Sequence, residues 1–322
     1  MCYVRMTAEV PIRSRRIRSL VGILTENARL PTKRIAARMR CSQQLVSYLI
    51  GRLSSDTDIV FSAQVDTARL GLEHVIVGIR YKRIIPSRIK AIIGSLRQIP
   101  YITLIVEGSG DVDLLIECSS ANLSAFSKQL RSLLADASDI FDVSFVMPIV
   151  VRRVYPRSYL NRSKREVRIL FGDRSHEDID AFDRRILMRF QCDARISLLE
   201  LSRQTDSSVQ AVRASMSRLE SSGVVRGSTI RGDVGSIGIP TSFLLLRLPS
   251  EGFGTIDQVV SRAEAEPHVI EIVKLIGAYH VMLRIEDVSA SVVLRSLRME
   301  FDIERSAIFD SYRIRLERPL PL

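Results

Sequence analysis

The sequence predicts an α+β protein in which two winged helix-turn-helix domains alternate with two ferredoxin-like βαββαβ domains. Three observations support this fold class: a long internal repeat, three helical segments at the start of each repeat, and a βαββαβ pattern in the remainder. The predicted boundaries are 1–62 and 176–232 for the winged helices, 63–151 and 233–322 for the ferredoxin-like domains, and 152–175 for a basic linker.

The internal repeat joins two segments that lie far apart in the chain. Residues 27–53 align with residues 193–219 at an offset of 166, and residues 110–113 meet residues 277–280 at an offset of 167. Repeats of solenoid proteins are much shorter, at about 20–50 residues. We therefore expect two large units, called the first and second unit below, each able to fold as one or two domains.

The start of each unit has the pattern of three helices. In the second unit, Ser197 and Glu200 have the spacing of a capping box, and Ser208 is a suitable N-cap for the third helix. Apolar residues between 209 and 219 recur at helical spacing and predict one buried face. Two short helices, a tight turn and a third helix with a polar outer face are typical of a helix-turn-helix. Residues 224–227 then begin the wing.

The remainder of each unit alternates between strands and helices. In the first unit we predict strands 74–82, 101–106, 112–118 and 140–151, with helices 86–97 and 121–135. In the second unit we predict strands 241–248, 269–276, 281–285 and 307–316, with helices 256–266 and 289–299. This order predicts a four-stranded antiparallel sheet with both helices on one face. The other face is left to pack against a partner.

Positive charge is concentrated in two segments of the chain, whose formal net charge is +11. Residues 1–60 contain eleven Arg and Lys against four Asp and Glu, and residues 152–168 contain seven against one. Such clusters suit phosphate contacts, although a solvated basic surface has the same composition. The linker arginines are accordingly interpreted either as sequence-independent phosphate contacts or as a soluble tether.

Several functional classes have little support in the sequence. Hydrophobic runs stay below the roughly 18 residues needed to cross a bilayer, and charged residues interrupt the N-terminus, so we expect a cytoplasmic protein without membrane contact. The cysteines, at positions 2, 41, 118 and 192, are far apart and predict reduced, buried thiols. No paired carboxylates, nucleophile–base pair or glycine-rich phosphate loop is evident, so we expect neither an enzyme nor a cofactor or metal.

Four short motifs, three in the second unit and one in the first, carry a family resemblance. Residues 180–187 (DAFDRRIL), 193–197 (DARIS) and 218–227 (RLESSGVVRG) form three of them, and residues 110–113 (GDVD) form the fourth. Together they resemble the Lrp/AsnC (feast/famine) family of transcription regulators, here in a tandem duplicated form. The first unit departs from this pattern at Ser14 and Ile17, where the family has two aspartates, and the second unit has His280 in place of the turn aspartate.

The resemblance implies a sequence-specific DNA-binding regulator modulated by an amino acid or a related small molecule. It also implies a homo-oligomer or an intrachain pseudo-dimer, in which the ferredoxin-like (RAM) domains pair face to face across a dyad and bind the effector. Double-stranded DNA is the expected partner.

In a helix-turn-helix, the exposed face of the third helix meets base edges in the major groove. The predicted DNA-contacting residues are Gln43, Gln44, Ser47, Tyr48 and Arg52 in the first unit, and Ser208, Gln210, Arg213, Ser217 and Arg218 in the second. Gln can form two hydrogen bonds with adenine, and Arg can form two with guanine. The alternatives are a solvated helix face and, for Arg52 and Arg218, contacts with phosphates.

The predicted effector site lies at the turn between the second and third strands of each ferredoxin-like domain. It comprises Gly110 and Asp113 in the first unit and Gly277 and His280 in the second. A carboxylate at this turn can receive an ammonium group, so the first unit is the better candidate for binding an amino acid. The alternative is a hairpin turn whose aspartate accepts hydrogen bonds from nearby backbone.

Two other functions remain open at this stage. Siroheme decarboxylases resemble the same winged-helix and ferredoxin-like architecture, but they bind a tetrapyrrole and use histidine with basic residues. In this sequence no histidine has an arginine next to it, and the chain has no tryptophan, so the regulator is favoured. The third function is a ligand sensor whose winged helices contact only proteins.

Overall fold

A computed structural model describes residues 12–162, 164–249 and 253–317. The first unit contains α1 (Arg15–Glu26), α2 (Thr32–Met39), α3 (Gln43–Asp56), β1 (Val60–Val65), β2 (Glu73–Tyr81), α4 (Pro86–Gln98), β3 (Ile102–Gly110), β4 (Leu114–Ser120), α5 (Leu123–Ala135) and β5 (Phe141–Val154). The connecting segment contains β6 (Arg168–Phe171). The second unit contains α6 (Ala181–Cys192), α7 (Leu198–Gln204), α8 (Val209–Ser221), β7 (Val225–Arg231), β8 (Thr241–Arg247), α9 (Phe253–Glu264), β9 (Val269–Leu275), β10 (Val281–Glu286), α10 (Ala290–Arg298) and β11 (Arg305–Glu317).

The predicted boundaries and cysteine environments differ from the structure in detail. The boundaries after residues 62 and 151 fall inside β1 and β5, and the first eleven residues of the basic N-terminal segment lie outside the described residues. Cys118 is buried as expected, but Cys192 is exposed and Cys41 is half-buried; all three are free thiols. No helix in the described part of the chain is both long and apolar enough to span a membrane.

Serine side chains cap the N-termini of α3 and α8, the third helix of each unit, which are called the recognition helices below. The Ser42 hydroxyl accepts a hydrogen bond from the backbone N–H of Leu45 at the start of α3, at 3.2 Å. The Ser208 hydroxyl does the same for Ala211 at the start of α8, at 3.1 Å. Each bond satisfies one of the backbone donors that a helix start leaves unpaired. The local sequence therefore defines where each recognition helix begins.

The helices of the two winged-helix segments share one hydrophobic core. Leu24 and Leu49 from the first unit pack in the same buried cluster as Phe190 and Leu219 from the second. Strands β1 and β7 also pair antiparallel, from Val60 opposite Arg231 to Val65 opposite Val225. Each unit thus supplies one strand of the two-stranded sheet, and the two recognition helices are linked through that sheet and the shared core.

The remaining long strands close into an eight-stranded barrel. The first unit contributes β5-β2-β4-β3 and the second contributes β11-β8-β10-β9, and β3–β11 and β5–β9 pairings join the two sheets at both edges. The short strand β6 extends the barrel sheet beyond β5. Each four-stranded sheet has the order expected for a βαββαβ domain. Their association differs from the prediction, because we expected two sheets stacked face to face and the structure joins them edge to edge.

The length of β5 and β11 explains this edge-to-edge closure. Strand β5 has 14 residues, pairing with β2 as far as Pro148 and with β9 from Ile149 onward. Strand β11 has 13 residues and pairs with both β8 and β3. A strand near the mean length of about 5–6 residues could not pair with strands of both units in this way. Closure also pairs the edge groups that separate sheets would expose.

Alternation along each strand divides the barrel core into an inner and two outer layers. In β2, Ile76 faces a buried cluster inside the barrel together with Phe145, Phe243 and Phe309. The flanking residue Val77 instead packs in the outer cluster beneath α4 and α5. The second unit has a corresponding outer cluster beneath α9 and α10. Both faces of each sheet are therefore apolar, which explains the nearly continuous hydrophobic runs of these strands.

The connecting segment differs from the predicted solvated tether. Arg152 and Arg153 belong to β5, and Arg157 is buried with its guanidinium on the carboxylate of Glu286. Arg165 donates to the backbone carbonyls of Glu266 and Val269 in the second unit. Five of the seven basic residues form such internal contacts, namely Arg152, Arg153, Arg157, Arg165 and Arg168. Arg162 and Lys164 remain exposed.

The seam between β3 and β11 yields a first prediction. Gly110 has a φ of +128°, and a Cβ atom at this position would lie 2.0 Å from the carbonyl oxygen of Ile308. We expect Gly110→Ala to lower the free energy of unfolding by roughly 1–3 kcal/mol, because the strand must shift. Gly94→Ala in α4 is the control: its Cβ would meet nothing within 4 Å, so it should be neutral or stabilising by up to about 1 kcal/mol. Urea denaturation would measure both, and equal stability of the two variants would contradict the close approach at the seam.

Candidate functional site

The predicted DNA-contacting residues lie on the outer faces of α3 and α8. Inward-facing residues of these helices, such as Leu49 and Leu219, are buried in the shared core. Nine of the ten predicted contacts are exposed and Arg52 is half-buried: Gln43, Gln44, Ser47, Tyr48, Ser208, Gln210, Arg213, Ser217 and Arg218 are the exposed residues. The face that a major groove would meet is therefore accessible in both units.

Arg218 is held by the two aspartates of the motif at residues 180–187. Asp180 caps α6 by accepting the backbone N–H of Asp183 at 2.7 Å, and Asp183 accepts Arg218 at 2.6 Å. Asp180 lies 3.9 Å from the same guanidinium. The hydrogen bond to Asp183 raises the pKa of Arg218 above its ordinary value. This arrangement joins the recognition helix to the first helix of its unit and orients Arg218 near the surface.

The first unit replaces this arrangement with an interaction inside its own recognition helix. Ser14 still caps α1, but Ile17 is fully buried at the position of the second aspartate. Arg52 instead pairs with Asp56 one turn later and donates to the Tyr48 hydroxyl at 3.0 Å. Hydrogen bonds to Tyr48 and Asp56 raise its pKa. Two residues of the predicted contact set, Arg52 and Tyr48, are therefore already bonded to each other.

Gln210 and Arg213 are accessible predicted contacts of the second unit. Neither side chain forms a hydrogen bond or ion pair with any residue in the described ranges. Both lie on the exposed face of α8, one turn apart. In the first unit, exposed basic residues occur instead around α2, at Lys33, Arg34, Arg38 and Arg40.

The predicted effector residues lie on two separate turns. Asp113 accepts the backbone N–H of Tyr81 at 2.7 Å, and His280 Nδ1 accepts that of Leu248 at 3.2 Å. Both side chains therefore fasten a turn to the end of the first strand of the same sheet. Gly110 approaches β11, and Gly277 has a φ of +130° beside Met147 of β5. The hydrogen bond from Tyr81 to Asp113 is the local backbone contact expected of an ordinary hairpin turn, which was the alternative interpretation of this site. One carboxylate oxygen of Asp113 is not used by this bond.

A polar cavity of about 210 Å³ lies between the β1–β7 sheet and the barrel. From the winged-helix side it is lined by Gln64, Thr229 and Arg231, and from the barrel side by Arg152, Glu271 and Arg284 among others. The sequence interpretation missed this site. A usable signal was present in β4 and β10, where Glu117 and Arg284 interrupt otherwise apolar strands.

Four side chains on one side of this cavity form a connected network. The Thr67 hydroxyl bonds His74 Nε2 at 2.7 Å, and His74 Nδ1 lies 3.2 Å from Glu117. Arg152 donates two hydrogen bonds to Glu117, at 2.8 and 2.5 Å. The absence of an arginine next to any histidine in the sequence is therefore misleading, because folding brings His74 and Arg152 to the same carboxylate.

Burial and charge shift the pKa values of this network in opposite senses. Burial raises the pKa of Glu117, but Arg152 and the hydrogen bonds from His74 and Arg152 outweigh it and lower that pKa to about 2. For His74, burial lowers the pKa below its ordinary value more than Glu117 raises it, and Arg152 lowers it further. The structure therefore holds an ionised Glu117 beside a neutral His74.

Comparisons with known proteins match the second winged helix and the whole fold. The family described as winged helix-turn-helix DNA-binding matches residues 179–226. The HTH-type transcriptional regulator Zrp of Zymomonas mobilis is 29% identical over 108 residues, covering 33% of this chain and 71% of that protein. The glutamate uptake regulatory protein of the same organism is 28% identical over 149 residues, covering 45% and 91%. The crystal structure of the siroheme decarboxylase NirDL superposes with a TM-score of 0.61 at 12% identity, covering 95% of this chain and 93% of that one.

The exposed recognition helices and these relatives define the class of the protein. It is a DNA-binding protein of the winged helix-turn-helix class. Within that class the chain is similar to Lrp/AsnC-type transcription regulators, as the sequence motifs indicated. The likeness to NirDL concerns the fold alone. It differs from the curated relatives in covering nearly the whole chain, whereas each of them covers less than half.

The neutral state of buried His74 yields a prediction about pH. An unfolded histidine binds a proton below about pH 6.5, whereas folded His74 resists protonation, so acid favours the unfolded chain. The free energy of unfolding is therefore not reduced by this group above about pH 6.5. Below that pH it decreases by up to about 1.4 kcal/mol per pH unit. We expect His74→Gln to reduce this loss between about pH 7.5 and 5.5, measured by urea denaturation.

His176→Gln is the matched control, because His176 is exposed. This variant should keep the wild-type dependence of stability on pH. An unchanged dependence in His74→Gln would show that His74 is not the responsible group.

Proposed function

We propose that this chain binds an operator with both recognition helices at once, as an intrachain pseudo-dimer of two tandem units. The observation that carries this proposal is the pairing of β1 with β7, one strand from each unit. That pairing, with the shared helical core, couples α3 and α8 within one chain. Antiparallel pairing of equivalent strands relates the units approximately by a two-fold rotation, which suits inverted DNA half-sites. Half-sites about one helical turn apart, or a multiple of it, are the corresponding expectation.

The two units are proposed to contribute differently to binding. The first has the greater positive charge in its winged-helix segment, and its Arg52 is committed to Asp56. We assign to it mainly phosphate contacts, whose strength depends on salt. The second unit presents Gln210 and Arg213 without internal partners among the described residues, and we assign base selectivity to it. The internal contacts of Arg165 remove it from the proposed phosphate contacts, leaving Arg162 and Lys164 in the connecting segment.

Replacing Arg213 by alanine tests this assignment. If Arg213 forms two hydrogen bonds with a guanine, the loss on the cognate operator should be about 1–3 kcal/mol, with little change on unrelated DNA. Arg295→Ala is the control, since Arg295 is an exposed residue of α10 outside the winged helices. Fluorescence anisotropy at several salt concentrations would measure both, using operator DNA selected from a random pool. An equal loss on cognate and unrelated DNA would instead assign Arg213 to phosphate binding.

We also propose that an amino acid modulates DNA binding through the turn that carries Gly110 and Asp113. Asp113 keeps one carboxylate oxygen that is not used by Tyr81. The equivalent turn in the second unit offers Gly277 and the imidazole of His280. We therefore expect the first unit to bind an amino-acid ammonium group and the second to be empty or to differ in specificity.

Calorimetry with a panel of amino acids tests this site. Asp113→Asn should abolish binding, because it removes the charge while keeping an acceptor for the backbone N–H of Tyr81. His280→Ala provides the comparison at the other turn. Binding that persists in Asp113→Asn but disappears in His280→Ala would reverse the assignment of the two turns.

Association between chains is proposed through the outer surface of β5 and the adjoining turn. Val146 is 53% exposed and Ile276 is 63% exposed, which leaves apolar surface without cover in a single chain. This surface suits the further association that the resemblance implies. Light scattering at several protein concentrations tests it, and a monomer throughout would rule it out.

A tetrapyrrole enzyme is the second candidate function, favoured by the likeness to NirDL and by the cavity that contains His74 and Arg152. Two observations favour the regulator over it. The cavity of about 210 Å³ is smaller than the roughly 300–1,000 Å³ typical of ligand pockets, and both residues are bonded to Glu117. Mixing the purified protein with siroheme and recording its absorption spectrum, alongside DNA binding, discriminates the two. A bound tetrapyrrole spectrum without DNA binding would favour the enzyme.

A further inference from the structure

The polar cavity contains buried arginines whose hydrogen-bonding capacity is not used. Arg284 is only 8% exposed, and its Nε atom has no hydrogen-bond partner in the described part of the chain. Its guanidinium lies 3.7 Å from the carboxylate of Glu286. That carboxylate already accepts two bonds from Arg157, at 2.6 and 2.8 Å, and one from the Tyr159 hydroxyl. Arg284 is therefore near negative charge but lacks an acceptor of its own.

Arg231 is in the same situation on the opposite wall of the cavity. Its Nε atom is also buried without a partner, and its guanidinium forms no hydrogen bond or ion pair with the described residues. Glu317 attracts it only at longer range. Unsatisfied buried donors cost free energy, and the cost is larger for a charged group. Two such groups facing one cavity indicate that a ligand or ordered water completes their bonding.

Arg152 is better satisfied, although its Nε atom also lacks a well-aligned hydrogen bond among the described residues. It donates twice to Glu117 and lies 2.9 Å from Glu271. Glu271 is also the direct cross-strand neighbour of Arg284. Burial raises the pKa of Glu271, although Arg152 and Arg284 lower it. Its oxygens can accept a hydrogen bond from a donor on a ligand.

The size of the cavity restricts the ligand to a small molecule. Its 210 Å³ corresponds to about seven water molecules at their share of liquid volume. A guanidinium binds a carboxylate with two parallel hydrogen bonds, which is the geometry that planar donors favour. The acidic oxygens of Glu271 would at the same time accept a hydroxyl or amino hydrogen from the ligand. These features suit a small carboxylate with a hydrogen-bond donor next to it.

We propose that this cavity is a binding site for a small carboxylate that carries an adjacent hydrogen-bond donor. Arg231 and Arg284 hold the carboxylate, and Glu271 accepts the donor. The site is distinct from the turn residues Gly110 and Asp113, and it joins the β1–β7 sheet to the barrel.

The position of the cavity also couples a bound ligand to the recognition helices. Strand β1 follows α3 after a short turn, β7 follows α8, and both strands line the cavity. A ligand that bridges Arg231 of β7 and Arg284 of β10 would fix the two-stranded sheet against the barrel. The orientation of the recognition helices would then depend on occupancy. This coupling rests on the proposed DNA-binding function, whereas ligand binding itself does not.

The test of binding uses lactate and its uncharged analogue lactamide as probes of the full-length protein. We expect lactate, but not lactamide, to raise the melting temperature and to produce binding heat in calorimetry. Arg284→Met should fold, because it removes a buried charge with unsatisfied donors, and should weaken lactate binding by about tenfold or more. Arg231→Met, which changes the opposite wall, should have the same effect. Arg295→Met, on exposed α10, is the control and should bind lactate as the wild type does.

Three outcomes of this experiment would overturn the site. They are equal responses to lactate and lactamide, no response of the wild-type protein to lactate up to millimolar concentrations, and lactate binding that persists in both cavity variants. Ordered water alone would then complete the bonding of the arginines.

A separate measurement tests the coupling. Lactate should change the affinity for operator DNA in the wild type but not in Arg284→Met. Lactate binding without any change in DNA affinity would refute the coupling and leave the site in place. Loss of the proposed DNA-binding function would appear as absent DNA binding in both conditions, with the calorimetric result unaffected.

Discussion

The pairing of β5 and β11 with strands of both units is the constraint on which the other features of the structure depend. Each strand begins against its own sheet and continues along the edge strand of the other unit. A sheet edge carries unpaired backbone donors and acceptors, so closure at both edges satisfies them within one chain. It also encloses an apolar interior to which both units contribute. Neither sheet can bury its inner face alone, and the winged-helix segments are brought together above the barrel as a consequence.

The layer between the winged helices and the barrel is held by buried charges rather than by apolar contacts alone. Arg157 binds Glu286, while Arg152 lies between Glu117 and Glu271. Such pairs contribute little net stability relative to apolar packing, but breaking one leaves an uncompensated buried charge, which is strongly destabilising. They therefore favour a single arrangement of the two layers. A polar, partly unsatisfied layer of this kind is also where a small molecule can alter the relation between them.

The two recognition helices share a framework but differ in their surface chemistry. In the second unit, Arg218 donates a hydrogen bond to Asp183 of the first helix, and Arg213 is exposed. In the first unit, Ile17 extends the hydrophobic core at the corresponding position, so Arg52 bonds within its own helix. The residue at this one position in the first helix thus changes which carboxylate binds the corresponding arginine, Arg218 or Arg52. This difference gives the two units unlike exposed surfaces on α3 and α8.

The sequence by itself determined which segments form helices, which form strands, and roughly where each lies in the chain. Caps such as Ser42 and Ser208 and the alternation along strands such as β2 act between neighbours in the chain, so they can be read locally. The family motifs also identified the class of regulator. Tertiary structure alone decided the barrel closure, the buried bonding of the connecting-segment arginines, and the cavity with Arg231 and Arg284. These depend on groups more than 30 residues apart. Composition shows how much charge a segment carries without showing which distant carboxylate or carbonyl will accept it.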